Sequence, residues 1–213
     1  TITANGDATQ TTFSPYRHGG YSTYFDGSGD GIDFTPTTPI GTSDFTLEAW
    51  VYPESFGTTE AIFCTLPSGS ATSMQLNVGT SGTLELWYKG ISAGDNVTIS
   101  GVFTLDTWHH IAMVGDGTAN EIKIYKDGTQ LGSTLSYNYN YSASSTYRVG
   151  RNRGGTSYFN GYLRDVRLVY SKVYTSDFTA PDEPLTAITN TKLLTCHLPY
   201  ITDSSSDGNT ATI

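Results

Sequence analysis

Apolar and polar positions alternate in short runs along this chain, most plainly from Asp106 to Gly132, DTWHHIAMVGDGTANEIKIYKDGTQLG. Residues 108–114 form an extended stretch between turn residues, too short and too β-branched for a helix. Gly115-Asp-Gly-Thr118 then breaks the chain. Residues 121–126 alternate, with Ile122 and Ile124 on one face and Glu121, Lys123 and Tyr125 on the other. Asp127-Gly128 follows, a strong hairpin signal because a type I′ turn needs positive φ at both central residues. The pattern predicts a meander of three antiparallel strands.

Further strands are predicted at 21–25, 44–52, 61–65, 73–78, 83–88, 96–100, 147–150, 162–170 and 193–197. In 44–52 the alternation is clean: Phe45, Leu47, Ala49 and Val51 face one way, Glu48, Trp50 and Tyr52 the other, and Pro53 ends the run. Trp50 and Trp108 are assigned to the core. Residues 1–20 read as a lead-in strand or linker, and 26–33, DGSGDGID, as a tight acidic loop. The helical candidate is a single turn near 174–178. Many short strands without an amphipathic helix predict an all-β, two-sheet antiparallel jelly-roll sandwich. No linker-like stretch divides the middle, so residues 1–213 are read as a single domain with a core at about 20–197.

Composition agrees: 23 glycines and 15 tyrosines against 11 lysines and arginines suit tight turns and strands. The net charge of −9 argues against binding nucleic acid, which requires neutralised phosphates, and against docking to an anionic membrane. No apolar run approaches the roughly 18 residues of a membrane span. Cys64 and Cys196 sit in apolar surroundings, IFCTL and LLTCHL, and are read as two buried thiols, with a bridge between them as the alternative. The chain starts Thr1-Ile-Thr-Ala-Asn5 and ends Asn209-Thr-Ala-Thr-Ile213, like two sides of a cut through a string of similar domains. Its ends are therefore expected to lead into neighbouring modules.

Five motifs occur in order: Phe25-Asp-Gly-Ser-Gly-Asp30, Asp44-Phe-Thr-Leu-Glu-Ala-Trp-Val-Tyr-Pro53, Thr107-Trp-His-His-Ile-Ala112, Ile124-Tyr-Lys-Asp-Gly128 and Phe159-Asn-Gly-Tyr-Leu-Arg-Asp-Val-Arg-Leu168. Over about residues 20–180 this resembles the laminin G-like group of the concanavalin A-like lectin/glucanase superfamily. The tail, from Val173-Tyr-Thr-Ser-Asp-Phe-Thr-Ala-Pro181 to Leu193-Leu-Thr-Cys196, resembles modules of marine bacteriophage structural proteins, which often stand in tandem. The resemblance implies two antiparallel sheets, one concave, with ligands on that face or at the loop-bearing rim.

The glucanases of this superfamily carry two Glu about four residues apart on one strand with an Asp between, the close pair that retaining hydrolysis needs. No E-x-D-x-x-E occurs here, and Glu48 and Glu85 stand without strand-mates. His109 and His110 point to opposite faces, with no Gly-x-Ser-x-Gly elbow, and are read as structural. The expectation is a protein that is not an enzyme. Asp26-Gly-Ser-Gly-Asp30-Gly31 matches the first half of an EF-hand loop, but Thr37 stands where the closing Glu should be, and the flanks are strands. Calcium is the candidate cofactor, on Asp26 and Asp30 and, as the resemblance implies, Asp165. The alternative is a glycine turn with solvated carboxylates. Zinc lacks a His/Cys cluster.

For ligand binding, LSYNYNYS at 135–142 places Tyr137, Tyr139 and Tyr141 on one face of an extended segment, suited to stacking on sugars or to protein contacts. The alternative is an ordinary strand whose tyrosines pack on a neighbour. Trp87, on the face opposite Leu84 and Leu86, and Arg151-Asn152-Arg153, a set of donors before Gly154-Gly155, complete the candidates. The sequons at Asn96 and Asn140 matter only in a secretory eukaryote. The expected function is a non-catalytic recognition module for carbohydrate or a glycosylated cell surface, extracellular or on a virion. The rival is a structural virion domain that contacts other subunits and binds no glycan.

Overall fold

The computed structural model describes residues 1–67, 73–88, 96–136, 138–142, 144–207 and 211–212. In chain order the strands are β1 Ile2–Asn5, β2 Thr9–Thr11, β3 Ser22–Asp26, β4 Gly31–Phe34, β5 Phe45–Pro53, β6 Glu60–Pro67, β7 Gln75–Val78, β8 Leu84–Trp87, β9 Asn96–Ile99, β10 His109–Asp116, β11 Glu121–Lys126, β12 Thr129–Ser136, β13 Ser144–Val149, β14 Asn160–Val169, β15 Thr191–Thr195 and β16 Ala211–Thr212. They form two sheets. The first runs β16-β1-β4-β13-β6-β7-β8-β9, and the second β12-β11-β10-β5-β14-β3-β2. β14 is long enough to carry β3 along Asn160–Leu163 and β15 along Val166–Val169. Every pairing is antiparallel except that of β1 with β16. Among the described residues, no helix is long and apolar enough to cross a membrane.

β5 lies at the centre of the second sheet, between β10 and β14. Its Phe45, Leu47 and Val51 point into the core between the sheets, where they meet Phe25, Phe63, Leu76, Ile111 and Leu163. Period-two alternation therefore sends Thr46, Glu48, Trp50 and Tyr52 to the outer face. The meander is present as β10-β11-β12, and its turn residues Asp127 (φ 49°) and Gly128 (φ 86°) both have the positive φ that a type I′ turn requires.

Two expectations are corrected. Trp50 and Trp108 do not enter the core between the sheets: both are half-buried on the outer face of the second sheet, Trp50 against Tyr16 and His110, Trp108 against Phe13 and Tyr52. No helical turn forms at 174–178. That stretch is a series of bends in which the rings of Tyr174 and Phe178 stack 3.6 Å apart and cover Ala112, Val114 and Tyr125. For residues 1–20 the strand alternative applies, since β1 joins the first sheet and β2 the second.

Both cysteines are free and buried. Cys64 faces outward from the first sheet opposite Arg148, whereas Cys196 belongs to the core behind β15. Burial pushes both thiols up to about 12.

Candidate functional site

Residues paired across neighbouring strands share a face, so register defines what each outer surface presents. On the first sheet Asp33 of β4 stands opposite Arg148 of β13, Arg148 opposite Cys64 of β6, Cys64 opposite Gln75 of β7, Gln75 opposite Trp87 of β8, and Trp87 opposite Asn96 of β9. Leu76, Leu84 and Leu86 point into the core. This row therefore lies on the outer face, with Asn77, Glu85 and Thr98 beside it. Trp87 and Glu85 are half-buried, Gln75 and Asn77 buried. Gln75 Nε2 donates to Asn77 Oδ1 at 2.7 Å, and Asn77 Nδ2 is left buried without a partner among the described residues.

The candidate arginines lie at one end of this row. Arg151 grips Asp33 through two hydrogen bonds, Nε at 3.2 Å and Nη2 at 2.7 Å, while Arg148 Nε lies 3.3 Å from the same carboxylate. Arg148 Nη1 also donates to the carbonyls of Asn152 (3.2 Å) and Arg153 (2.6 Å), which fixes the loop after β13. A side chain at Gly31 would put its Cβ 2.5 Å from Arg151 Cδ, so glycine there makes room for the clamp. Asn152 is committed to its own loop: Nδ2 donates to Thr156 and Ser157 Oγ, both at 3.1 Å, and Oδ1 accepts from Thr156 N at 2.9 Å. Asn152 thus shapes the loop, and Arg153 is the exposed side chain at its tip.

The tyrosine stretch is placed differently from the expectation of an open ligand face. Tyr139 and Tyr141 are 2% and 0% exposed, stacked on each other at 5.4 Å and packed against Phe45. Their hydroxyls donate to the carbonyls of Ser43 (2.9 Å) and Tyr88 (2.8 Å). Rings so enclosed by their own chain cannot stack on a ligand. Tyr137 lies outside the described residues.

The acidic loop gathers Asp7, Asp26 and Asp30, whose candidate ligand oxygens lie within 4.8 Å of one another. Asp30 is buried and accepts from Asp7 N (2.7 Å) and Asp26 N (3.0 Å), so the turn at Gly6 (φ 72°) and the start of the loop wrap its carboxylate. Burial, and more weakly the charges of Asp26 and Asp7, raise the Asp30 pKa against the lowering effect of those backbone donors. Three hard oxygen donors that repel one another could hold a divalent cation such as calcium, with Asp7 taking the place expected of Asp165. Asp165 does not join them. It is fully buried at a bulge in β14 (φ 49°), where it accepts from Tyr16 OH at 2.6 Å and Leu185 N at 3.2 Å. Sequence reasoning missed Asp7, and the Asn5-Gly-Asp7 turn was its available signal.

Glu48 and Glu85 do not come together as a glycosidase pair. Glu85 faces out of the first sheet and Glu48 out of the second, on opposite sides of the sandwich. Glu48 is buried and fully engaged: it accepts from Arg167 Nε (2.9 Å) and Nη2 (2.7 Å) and from Tyr174 OH (2.8 Å), with His110 Nε2 at 3.1 Å. Burial alone would raise its pKa, but His110 and Arg167 together hold it below the ordinary glutamate value. His109 contacts Asp127 at 3.4 Å and accepts from Thr104 N at 3.1 Å, so both histidines brace the fold.

Two sheets with this register define an all-β sandwich of the concanavalin A-like type. The family model described as Concanavalin A-like lectin/glucanases superfamily, of the laminin G kind, matches residues 26–177, and the chain belongs to that family. No curated protein sequence matches it. Among solved structures it is similar to domain 4 of AbnA, a GH43 extracellular arabinanase from Geobacillus stearothermophilus in complex with arabinotriose. That match has a TM-score of 0.63 and 17% identity, covering 82% of this chain and 83% of the other. It is also similar to the heptameric SAP-like pentraxin of Limulus polyphemus (TM-score 0.53, 20% identity, 71% of this chain and 76% of that one). Tailspike protein 2 of the Escherichia coli O157:H7 bacteriophage CAB120 matches with a TM-score of 0.59 and 15% identity, over 81% of this chain but 26% of the tailspike.

Proposed function

We propose that this chain is a non-catalytic carbohydrate-recognition module that binds glycan on the outer face of its first sheet. One observation carries the reading: the cross-strand row that places the half-buried Trp87 between Gln75 and Asn96, with the Arg148–Asp33–Arg151 clamp at one end. An indole face can take the apolar face of a pyranose, while amide and guanidinium donors meet its hydroxyls. The buried Asn77 Nδ2, left without a partner, is a donor that a sugar oxygen or a water can satisfy. The arabinotriose bound to the arabinanase domain supports a glycan ligand. Glu48 and Glu85, which lie on opposite sides of the sandwich and cannot act as a pair, support a binding rather than a hydrolytic role. The tailspike likeness favours display on a virion or another extracellular structure, and it also supports the rival reading of a subunit-contacting structural domain. A glycan array probed with the wild-type chain and Trp87→Ala tests the proposal. Selective glycan binding that weakens by about 1–3 kcal/mol in the folded variant is expected. A blank array would favour the structural role.

A further inference from the structure

A second cross-strand row, on the other sheet, is aromatic. Tyr52 of β5 stands opposite Tyr162 of β14, which stands opposite Tyr24 of β3. Trp108, just before β10, packs against Tyr52 with ring centroids 5.4 Å apart. Phe13 lies over the row, 4.8 Å from both Tyr52 and Tyr162 and 5.4 Å from Trp108. Phe13 is 38% exposed and the other four rings are half-buried, so the patch reaches solvent. Among the described residues, the hydroxyls of Tyr24, Tyr52 and Tyr162 have no hydrogen-bond partner.

Two carboxylates rim the patch. Glu54 is fixed by its N–H on Asn160 O (3.0 Å), and Asp106 by its N–H on Pro53 O (3.0 Å). Partial burial, and then the charge of Asp106, raise the Glu54 pKa, so the two groups act on each other. The charge of Glu54 also reaches Tyr24, Tyr52 and Tyr162. Among the described residues no lysine or arginine pairs with either acid. Rings with electron-rich faces beside uncompensated carboxylates favour a cation.

We infer that this patch is a binding site for glycans carrying free amino sugars, separate from the surface on the first sheet. The apolar face of the pyranose lies on the exposed rings, its hydroxyls meet the unpartnered tyrosine hydroxyls, and its ammonium group sits between the rings and the Glu54 and Asp106 carboxylates. A neutral sugar would cover those carboxylates without compensating them. A bare quaternary ammonium is best held in an enclosing cage, whereas this surface is open and offers hydroxyl groups that such an ion cannot use.

The test is calorimetric titration of the full chain with a fully deacetylated glucosamine tetramer and with its N-acetylated counterpart at low ionic strength. The deacetylated tetramer should bind at least about tenfold more tightly. Glu54→Gln with Asp106→Asn should abolish that preference at unchanged melting temperature, and Phe13→Ala should weaken binding in a chain that still melts cooperatively. Equal affinity for the two tetramers, or no binding of either, overturns the assignment. So does binding of tetramethylammonium or a lysine-rich peptide in place of the sugar. Loss of amino-sugar binding in Trp87→Ala would also overturn it, by moving the ligand to the first sheet. A blank glycan array for neutral sugars together with positive amino-sugar titration would sink the first-sheet proposal and leave this one standing.

Discussion

Along β5, Thr46 and Glu48 face outward beneath a cover, while Tyr52, only a few residues on, faces outward at an open end. The cover is the segment 171–190. Val173 N donates to Thr46 Oγ1 (2.9 Å), Tyr174 OH to Glu48, Arg167 Nη1 to Thr186 O (2.8 Å), and Phe178 N to Gly128 O (2.8 Å). On the same side, Tyr16 packs under the Arg164 guanidinium at 4.5 Å and donates to Asp165. Under the cover the sheet presents charges, each matched by an opposite charge or a hydrogen-bond donor. At the open end it presents aromatic rings and carboxylates without counterions. A buried charge is stable only when its partners arrive with the cover. Rings tolerate a half-wet surface and are the kind of group that sheds water on contact with a ligand. On this face of the second sheet, buried and paired charge thus marks where the chain covers itself, and clustered rings mark where it does not.

The covered half should be the more fragile. Arg167→Ala leaves Glu48 buried with only His110 and Tyr174, and should cost about 3–5 kcal/mol in denaturant unfolding. The same network sets a pH dependence. The Glu48 pKa is depressed in the folded state, so its stabilisation is present above the unfolded-state value of 4.5 and is lost as pH falls through the lower folded value. Acid should therefore narrow the difference between wild type and Arg167→Ala. A difference that stays constant into strong acid would show that the lost contribution is packing rather than charge.

The acidic loop adjoins the open end, since Asp26 and Asp30 also act on Tyr24. If calcium binds Asp7, Asp26 and Asp30, it should stabilise the fold by about 2.7 kcal/mol at a hundredfold excess over its Kd. Melting with calcium and with chelator measures this. Coincident curves would leave the loop as a solvated turn. Asp30→Asn should remove any calcium effect. Within the cover, Tyr174→Phe deletes one donor to a buried carboxylate and should cost about 1.5–3 kcal/mol, with less effect in acid.

Much of this arrangement was legible in the sequence, and the losses share a cause. The alternation of 44–52 fixed β5 and its two faces, and Asp127-Gly128 fixed the turn between β11 and β12. Alternation says which side chains share a face but not what covers that face. Tyr139 and Tyr141 have hydroxyls suited to water or ligand, yet these are satisfied by carbonyls about 96 and 53 residues away, contacts that no local pattern carries. Trp50 and Trp108 were assigned to the core, although alternation had already set Trp50 on the face opposite Phe45. Asp165 departs from its expected role because a bulge with positive φ turns it toward Tyr16 and Leu185. The aromatic row at the open end went unread because Phe13, Tyr24, Tyr52, Trp108 and Tyr162 lie in five separate segments that only the register brings together.

The smallest effect is expected at Phe13, despite its several ring contacts. Phe13 touches three other aromatic rings, and contact alone would make it a core residue whose truncation costs about 3–5 kcal/mol. Its 38% exposure argues otherwise, because a ring already wet in the folded state loses little on removal and leaves a surface that water fills. Phe13→Ala should therefore stay within about 1 kcal/mol of wild type. Phe178→Ala, which strips the cover from Ala112, Val114 and Tyr125, should cost several times more. Paired unfolding curves for the two variants decide the matter. If Phe13→Ala proves as damaging as Phe178→Ala, the aromatic row is a closed core of its own and the division between covered and open halves disappears.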